Sequence, residues 1–208
     1  MEVYYAIFLV LAAFLLGACP FSVWLGHLFL KKNITRYGDG NPGSANVFRA
    51  GGGIKLVLTA VWLDILKGIP FVYLSYAVFD LPMGVTITVG LGAILGHAFS
   101  PLLRFKGGKS VAVTFGVIIA LPQFDILVVF VLLTVMGLLF IEQHAWVVMP
   151  GPICTSAYLL LTRGMSWELL LMLCILTIYI IKQYDGLHTF PRFRINVVDW
   201  IQSRSRAT

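Results

Sequence analysis

Seven apolar runs, separated by short polar connections, dominate the pattern of the chain. The first three are long enough to cross a bilayer, for which a helix needs about 20 residues. The shorter runs fit a compact bundle in which protein or water covers the backbone of short or partly re-entrant helices. Between five and seven spans fit this pattern, and we predict seven. The runs are Val3–Leu30, Ile54–Phe79, Gly84–Leu103, Val111–Leu121, Ile126–Ile141, Ala145–Leu161 and Trp167–Ile181.

Proline and glycine interrupt several of these runs. The first contains Gly17–Pro20, the second contains Gly68 and Pro70, and the sixth contains Pro150–Pro152. Proline removes a helical hydrogen bond and clashes with the preceding turn, so we expect kinks or breaks at these points. The predicted fold is an all-α integral membrane protein, a seven-span helical bundle with short or broken helices.

The composition supports a membrane protein. The chain is 59% hydrophobic and 12% charged, with a mean hydropathy of +0.92, whereas soluble domains carry about 25% charged residues. Cys19, Cys154 and Cys174 each lie in an apolar run without paired spacing. They are typical of small buried side chains rather than of disulfides or metal ligands. We find no metal-binding cluster or cofactor motif and expect no cofactor.

The distribution of charge predicts the orientation. If the N-terminus lies outside, Arg163 is the only Lys or Arg of the outer connections. Because basic loops stay in the cytoplasm, the opposite face and the C-terminus are predicted to be cytoplasmic. Residues 1–181 would form the membrane domain, and residues 182–208 a basic cytoplasmic tail. The predicted cytoplasmic cations are Lys31, Lys32, Arg36, Arg49, Arg104, Lys106, Lys109, Lys182, Arg192, Arg194, Arg204 and Arg206.

The first basic connection, residues 36–49, is rich in glycine. Gly38, Gly40 and Gly43 match G-x-G-x-x-G, but a dinucleotide fold needs a preceding strand and a βαβ unit, which two flanking membrane spans exclude. Exposed backbone N–H groups and polar side chains here could bind hydroxyls or phosphate oxygens, and Arg49 offers a planar fork for phosphate. A simple turn between helices is the alternative. The polar side chains are Asn41, Ser44 and Asn46.

The connection around Gly107–Gly108 carries three cations, Arg104, Lys106 and Lys109. Adjacent glycines let backbone N–H groups approach an anion, which the cations also favour. A P-loop is excluded because Leu103 occupies its first glycine position and no strand precedes it. The alternative is that these cations only set the membrane topology.

Two groups near these connections admit two interpretations each. His97 could orient a substrate or relay a proton, or it could simply pack between helices. Asp64 and Lys67 lie three residues apart on one helical face and are expected to neutralise each other. That pair is either purely structural or supports a site in front of it.

Three segments together are similar to the motifs of one family. They read GDGNPGSANVFRA from Gly38, VWLDILKGIP from Val61 and LGHAFSPLLRFKGGKSVAVTFGV from Leu95. The first resembles GSGNxGATNxxRA, the second LDxLKG, and the third LGHxxPxFxxFKGGKGVATxxGV. These motifs belong to the bacterial acyl-phosphate:glycerol-3-phosphate acyltransferases of the PlsY type, and the apolar pattern fits the seven spans of that family.

The resemblance implies transfer of an acyl group from acyl phosphate to the 1-hydroxyl of glycerol 3-phosphate, giving lysophosphatidic acid for phospholipid synthesis. It implies a multi-pass protein of the inner cell membrane with a cytoplasmic active site, bound to membrane lipid and not to nucleic acid. The catalytic candidates are Lys109, Asp39 and His97. The candidates for substrate binding are Asn41, Gly43, Ser44, Asn46, Arg49, Arg104, Lys106, Gly107, Gly108, Lys109, Lys182 and Asp185.

The chain departs from this family's pattern at several positions. Asp39 replaces a serine, Ser110 replaces a glycine, and residues 182–187 replace a C-terminal RHRENIxRL-like motif, in which Asp185 could stand for the glutamate. The chain is therefore predicted to be a divergent member. Two alternatives stay open: a paralogue with another acceptor or no catalysis, and a small membrane transporter or lipid-binding protein.

Overall fold

The computed structural model describes residues 2–194, and within that range the regular structure is helical with no β-strand. Short π-helical turns follow α2 and α5, and 3₁₀ turns lie at Ile34–Arg36 and Pro101–Leu103. The α-helices are α1 Glu2–Ala18, α2 Phe21–Leu25, α3 Ser44–Arg49, α4 Ile54–Leu66, α5 Pro70–Tyr73, α6 Met83–Ala98, α7 Val111–Ala120, α8 Phe124–Phe140, α9 His144–Val147, α10 Pro150–Arg163, α11 Trp167–Lys182 and α12 Tyr184–Leu187.

All seven apolar runs are helical, which confirms the predicted all-α class. Four helical segments are long and apolar enough to span a membrane: Val3–Leu30, Ile54–Val78, Met83–Leu103 and His144–Arg163. Helices α7 and α8 are shorter apolar helices. The described part of the chain is thus an integral membrane bundle of long and short helices.

The helices are interrupted near the prolines at which breaks were predicted. Helix α1 ends at Ala18, directly before Cys19 and Pro20. Helix α5 begins at Pro70, after the turn that follows α4. In the sixth run the break lies at Val148–Met149, just before the prolines, and α10 begins at Pro150. Proline is tolerated in the first helical turn because its missing N–H would have no partner there.

Helix α6 forms the centre of the bundle, where it packs against α1, α7 and α11. Its contact with α1 is close because glycine lies at the interface. A methyl group at Gly96 would overlap the backbone of Phe14, and one at Gly17 would overlap that of Ala93. Small residues let two membrane helices approach until their backbones touch. This tight pair fixes the end of α6, from which the Gly107–Gly108 loop extends.

The connections between helices meet at two opposite ends of the bundle. At one end Arg163 forms ion pairs with Asp125 at 2.6 Å and with Glu168 at 3.6 Å. Those contacts join the α7–α8 and α10–α11 connections, and Tyr5 stacks on Phe79 near the same end. The glycine-rich connections and the segment after α11 meet at the opposite end.

The segment after α11 folds back on the α8–α9 connection. The indole N–H of Trp146 donates to the Thr189 carbonyl at 2.7 Å, and the Arg194 N–H donates to the Phe140 carbonyl at 2.9 Å. Ile141 and Phe193 form an isolated antiparallel bridge. The described part of the predicted tail is therefore docked on the bundle, while residues 195–208 lie outside the described residues.

Candidate active site

A cavity of about 670 Å³ lies where the glycine-rich connections meet the segment after α11. Four cationic side chains and two carboxylates line it, which gives a formal charge of +2 from these six groups. Eight of the residues predicted from sequence line this cavity: Asp39, Asn41, Arg49, Lys106, Gly107, Lys109, Lys182 and Asp185.

The first connection presents its polar groups from a tight loop and a short helix. Gly38 and Gly40 have φ of 56° and 71°, a conformation that glycine adopts without strain. Asp39 lies between them. Helix α3 then sets Asn46 and Arg49 three residues apart on one face, and Arg49 Nη1 donates to Asn46 Oδ1 at 2.8 Å.

Donors from both connections converge on the Asp39 carboxylate. Its Oδ1 accepts from the Asn41 N–H at 3.2 Å and from Asn46 Nδ2 at 3.0 Å, and lies 3.5 Å from Arg49 Nη1. Its Oδ2 accepts from Lys109 Nζ at 2.8 Å. Burial acts to raise the pKa of Asp39, but the hydrogen bond and charge of Lys109, with the two asparagines, lower that pKa to about 2.

The second connection has a strained and well-anchored backbone. Arg104, Phe105 and Ser110 have φ of 54°, 63° and 62°, the left-handed region that such residues rarely adopt. The Gly108 N–H donates to the His97 carbonyl at 2.9 Å, and Ser110 Oγ donates to the Ile94 carbonyl at 3.1 Å. Strained backbone of this kind is typical of functional sites, where the surrounding contacts hold it in place.

Asp64 and Lys67 form a buried ion pair behind the Gly107–Gly108 loop. Lys67 Nζ lies 2.8 Å from Asp64 Oδ1 and donates to the Cys19 carbonyl at 3.0 Å, beside the helix break at Pro20. Ser22 Oγ donates to Asp64 Oδ2 at 3.1 Å. The expected neutralisation of Asp64 by Lys67 is therefore present in the structure.

His97 connects this pair to the loop. Its Nδ1 lies 3.9 Å from Asp64 Oδ1, while a methyl group on Gly108 would overlap its ring. His97 is buried and does not line the large cavity. Gly108 likewise lies behind the cavity wall, so both residues support the loop from within.

The remaining four predicted residues, Gly43, Ser44, Asn46 and Arg104, do not line the cavity. Gly43 is the N-cap of α3, and Ser44 is its first residue. Asn46 of the same helix is linked to the cavity by its hydrogen bond to the Asp39 carboxylate. Arg104 is exposed and lies outside the lining. Lys182 lines the cavity, and its Nζ donates to the Ala98 carbonyl at 2.9 Å.

The structure adds four polar residues that were not predicted from sequence. Gln143 and His144 line the cavity at the α8–α9 connection, and Gln183 and Thr189 line it from the segment after α11. A signal existed, since polar residues between two apolar runs mark a connection at a membrane surface. Nothing in the sequence indicated which side of the connection would face the other loops.

A second cavity, of about 620 Å³, lies between α1 and α6 near Trp167. Its lining residues are apolar or uncharged and belong to the end of the bundle opposite the basic cavity. It offers no ionic group to an anionic substrate, so the candidate active site is the basic cavity.

Comparison with known proteins identifies the family. A model of the family "Glycerol-3-phosphate acyltransferase" matches residues 7–189. A glycerol-3-phosphate acyltransferase of Lactococcus lactis subsp. lactis is 43% identical over 61% of this chain and 60% of its own length. One from Streptococcus sanguinis is 32% identical over 90% of this chain and 89% of its own length. The match therefore spans less than two thirds of the Lactococcus relative and most of the Streptococcus relative.

A solved structure gives the same result. The crystal structure of PlsY, described as an integral membrane glycerol 3-phosphate acyltransferase in its glycerol 3-phosphate form, superposes with a TM-score of 0.79. The superposition covers 88% of this chain and 90% of that protein, at 27% sequence identity. A second structure of PlsY, in its lysophosphatidic acid form, gives a TM-score of 0.76. The chain belongs to the glycerol-3-phosphate acyltransferase family of integral membrane proteins.

Proposed function

We propose that this protein is a membrane acyltransferase that moves an acyl group from acyl phosphate to glycerol 3-phosphate and so forms lysophosphatidic acid. The observation that carries this proposal is the basic cavity, in which cations of two glycine-rich loops meet in a member of this family. Both proposed substrates carry phosphate, and one carries a fatty chain that a membrane enzyme can meet in the bilayer.

The donors of the cavity suit phosphate. Arg49 on α3 and the Asn41 N–H offer planar and directional donors to the phosphate and hydroxyls of glycerol 3-phosphate, and Asn46 supports them from behind through Arg49 and Asp39. Lys106 and Lys109 offer mobile ammonium groups beside Gly107, which suit the phosphate of the acyl donor. Lys182 adds a fourth cation from the end of α11.

The proposed step is a direct acyl transfer. The 1-hydroxyl oxygen attacks the carbonyl carbon of acyl phosphate, a carbon–oxygen ester bond forms, and the carbonyl bond to the phosphate oxygen breaks. Negative charge develops on the carbonyl oxygen and then on the departing phosphate. Lys109 is the proposed catalytic group that stabilises this charge, since preorganised cations act most strongly where charge develops.

The hydroxyl proton is proposed to pass to phosphate of the substrates. Asp39 is a weak acceptor because the pKa of its carboxyl is about 2. His97 is buried behind Gly108, outside the cavity lining. We therefore assign neither Asp39 nor His97 the catalytic role expected from sequence, and we assign His97 a supporting role behind Gly108. His144 and Asp185 remain in the cavity as binding groups.

We further propose seven membrane crossings, with the N-terminus outside and the cavity facing the cytoplasm at the inner cell membrane. The support is the sharp charge difference between the two ends and the alternation of the connections between them. The membrane unit is proposed as residues 1–181. The segment after it lines the cavity as far as Thr189 and is docked on the α8–α9 connection through Arg194.

The test is acyl transfer by purified protein in lipid vesicles, with acyl phosphate and radiolabelled glycerol 3-phosphate. We expect labelled lysophosphatidic acid from the wild type and a loss of at least about 100-fold in kcat/KM for Lys109→Ala and Arg49→Ala. Lys55→Ala is the control, because Lys55 is an exposed cation outside the cavity. Equal activity of Lys109→Ala and Lys55→Ala would contradict the site.

If the wild type forms no lysophosphatidic acid while the Streptococcus relative does so in the same vesicles, the proposed reaction is wrong for this acceptor. Other phosphorylated polyols would then be tested as acceptors with the same acyl phosphate. Acyl transfer to one of them would identify a paralogue with a changed acceptor.

A further inference from the structure

The Asp39 carboxylate lies among the cavity's own anion-binding groups. An ammonium, a guanidinium, an amide N–H₂ and a backbone N–H approach its two oxygens at 2.8 to 3.5 Å. Such a set of converging donors is what a protein offers to a phosphate group. Here the chain itself supplies the anion.

Asp39 is also accessible from the cavity. Its side chain is 42% exposed, and Asp39, Arg49 and Lys109 all line the same space. The partly exposed ion pairs to Arg49 and Lys109 are weak enough for a dianionic ligand to displace, because solvent screens exposed pairs and leaves them a small net contribution. The flanking Gly38 and Gly40 give the loop a backbone without side-chain hindrance on either side of the carboxylate.

We propose that Asp39 is an internal competitor for the phosphate of the acceptor, which sets a low affinity for glycerol 3-phosphate without taking part in the chemistry. This inference rests on the proposed function. A phosphate bound in the cavity must take Arg49 and Lys109 from the carboxylate or share them with it at the cost of like-charge repulsion. Either way the negative charge at position 39 weakens binding of the phosphate.

A different role for the same contacts makes the opposite prediction. If the carboxylate served to hold Arg49 and Lys109 in position for the substrate, its removal would leave both cations less ordered and would weaken binding. The two roles therefore differ in the sign of one measurable effect.

The test compares Asp39→Asn with the wild type. Asparagine keeps the size of the side chain and one oxygen acceptor, while it removes the charge. We expect KM for glycerol 3-phosphate to fall about fivefold, the equivalent of one exposed ion pair, with kcat changed less than twofold. Glu142→Gln is the matched control, because Glu142 is an exposed carboxylate outside the cavity lining.

Direct binding separates this inference from the proposed reaction. Binding of glycerol 3-phosphate is measured by calorimetry without acyl phosphate, and Asp39→Asn should bind about fivefold more tightly than the wild type. An unchanged or weaker affinity would overturn the inference, even where acyl transfer is observed. Absence of acyl transfer together with tighter binding by Asp39→Asn would overturn the reaction and support the inference.

A second variant guards against misfolding. Asp39→Ser removes the charge with a smaller polar side chain at a partly exposed position whose own φ is not positive, and its thermal unfolding is compared with that of the wild type. Both variants should shift affinity in the same direction. A gain for Asp39→Asn with a loss for a folded Asp39→Ser would refute a purely electrostatic competition.

Discussion

The buried ion pair between Asp64 and Lys67 should be one of the most sensitive points of the bundle. The side chains are 5% and 1% exposed, and their charged atoms are 2.8 Å apart. Lys67→Met removes the ammonium and leaves the Asp64 carboxylate with the Ser22 hydroxyl, while the Cys19 carbonyl keeps only the Phe21 N–H as a donor. Removing one partner of a buried pair costs about 3 to 5 kcal/mol, because the remaining charge stays desolvated.

For a chain of this size, each kcal/mol corresponds to about 2 to 4 °C in the melting temperature. Lys67→Met and Asp64→Asn should therefore each lower the melting temperature in detergent by about 6 to 20 °C. The assay is thermal unfolding of purified protein. Lys55→Met, which removes an exposed lysine from the start of α4, should change the melting temperature by less than about 2 °C.

The double variant Asp64→Asn/Lys67→Met decides whether the pair is the cause. With both charges gone, no unpaired buried charge remains, so the loss should be clearly smaller than the sum of the two single losses. Purely additive losses would refute the reasoning. So would single variants that melt like the wild type, since the pair would then not be desolvated as the structure indicates.

Two further predictions concern the loop and the orientation. Gly108→Ala should lower kcat/KM by about 100-fold in a folded protein, because its methyl group overlaps the His97 ring and displaces Lys109. Gly53→Ala is the control and should retain activity, because no atom lies within 4 Å of its added methyl group. Equal activity of the two variants would contradict the supporting role of His97. The orientation is tested in a background in which the three native cysteines are replaced by serine. Phe190→Cys should react with an impermeant maleimide only from the cytoplasmic side, and Met165→Cys only from the outside. Labelling of both variants from one side would contradict the proposed crossings.

The sequence predicted the helical runs and their interruptions because both depend on local properties. Long apolar runs in lipid must satisfy their own backbone hydrogen bonds, which leaves helix as the solution, and proline ends or kinks a helix wherever it occurs. The Asp64–Lys67 pair was equally predictable, since residues three apart on a helix are neighbours and isolated charges are costly in a membrane.

The arrangement of the site depends on contacts between distant segments and could not be predicted in the same way. Sequence does not reveal which face of α6 His97 occupies, so it could not decide between contact with substrate and packing between helices, and only the structure shows the burial of His97 behind Gly108. The contact between Asp39 and Lys109 joins residues that are 70 positions apart. The basic segment after α11 was predicted to be a separate tail. Its docking on the α8–α9 connection uses main-chain and side-chain amide hydrogen bonds, which produce no hydrophobic pattern in the sequence.

The docked C-terminal segment affects when the site can exist during biosynthesis. The lining of the cavity begins at Asp39 and ends at Thr189, so it draws on the first connection and on residues beyond the seventh apolar run. Synthesis and membrane insertion proceed from the N-terminus. Each growing chain therefore lacks part of the cavity wall until its last helix has been inserted and residues 183–194 have docked. A chain interrupted before that point would remain in the membrane with its two glycine-rich loops open on one side.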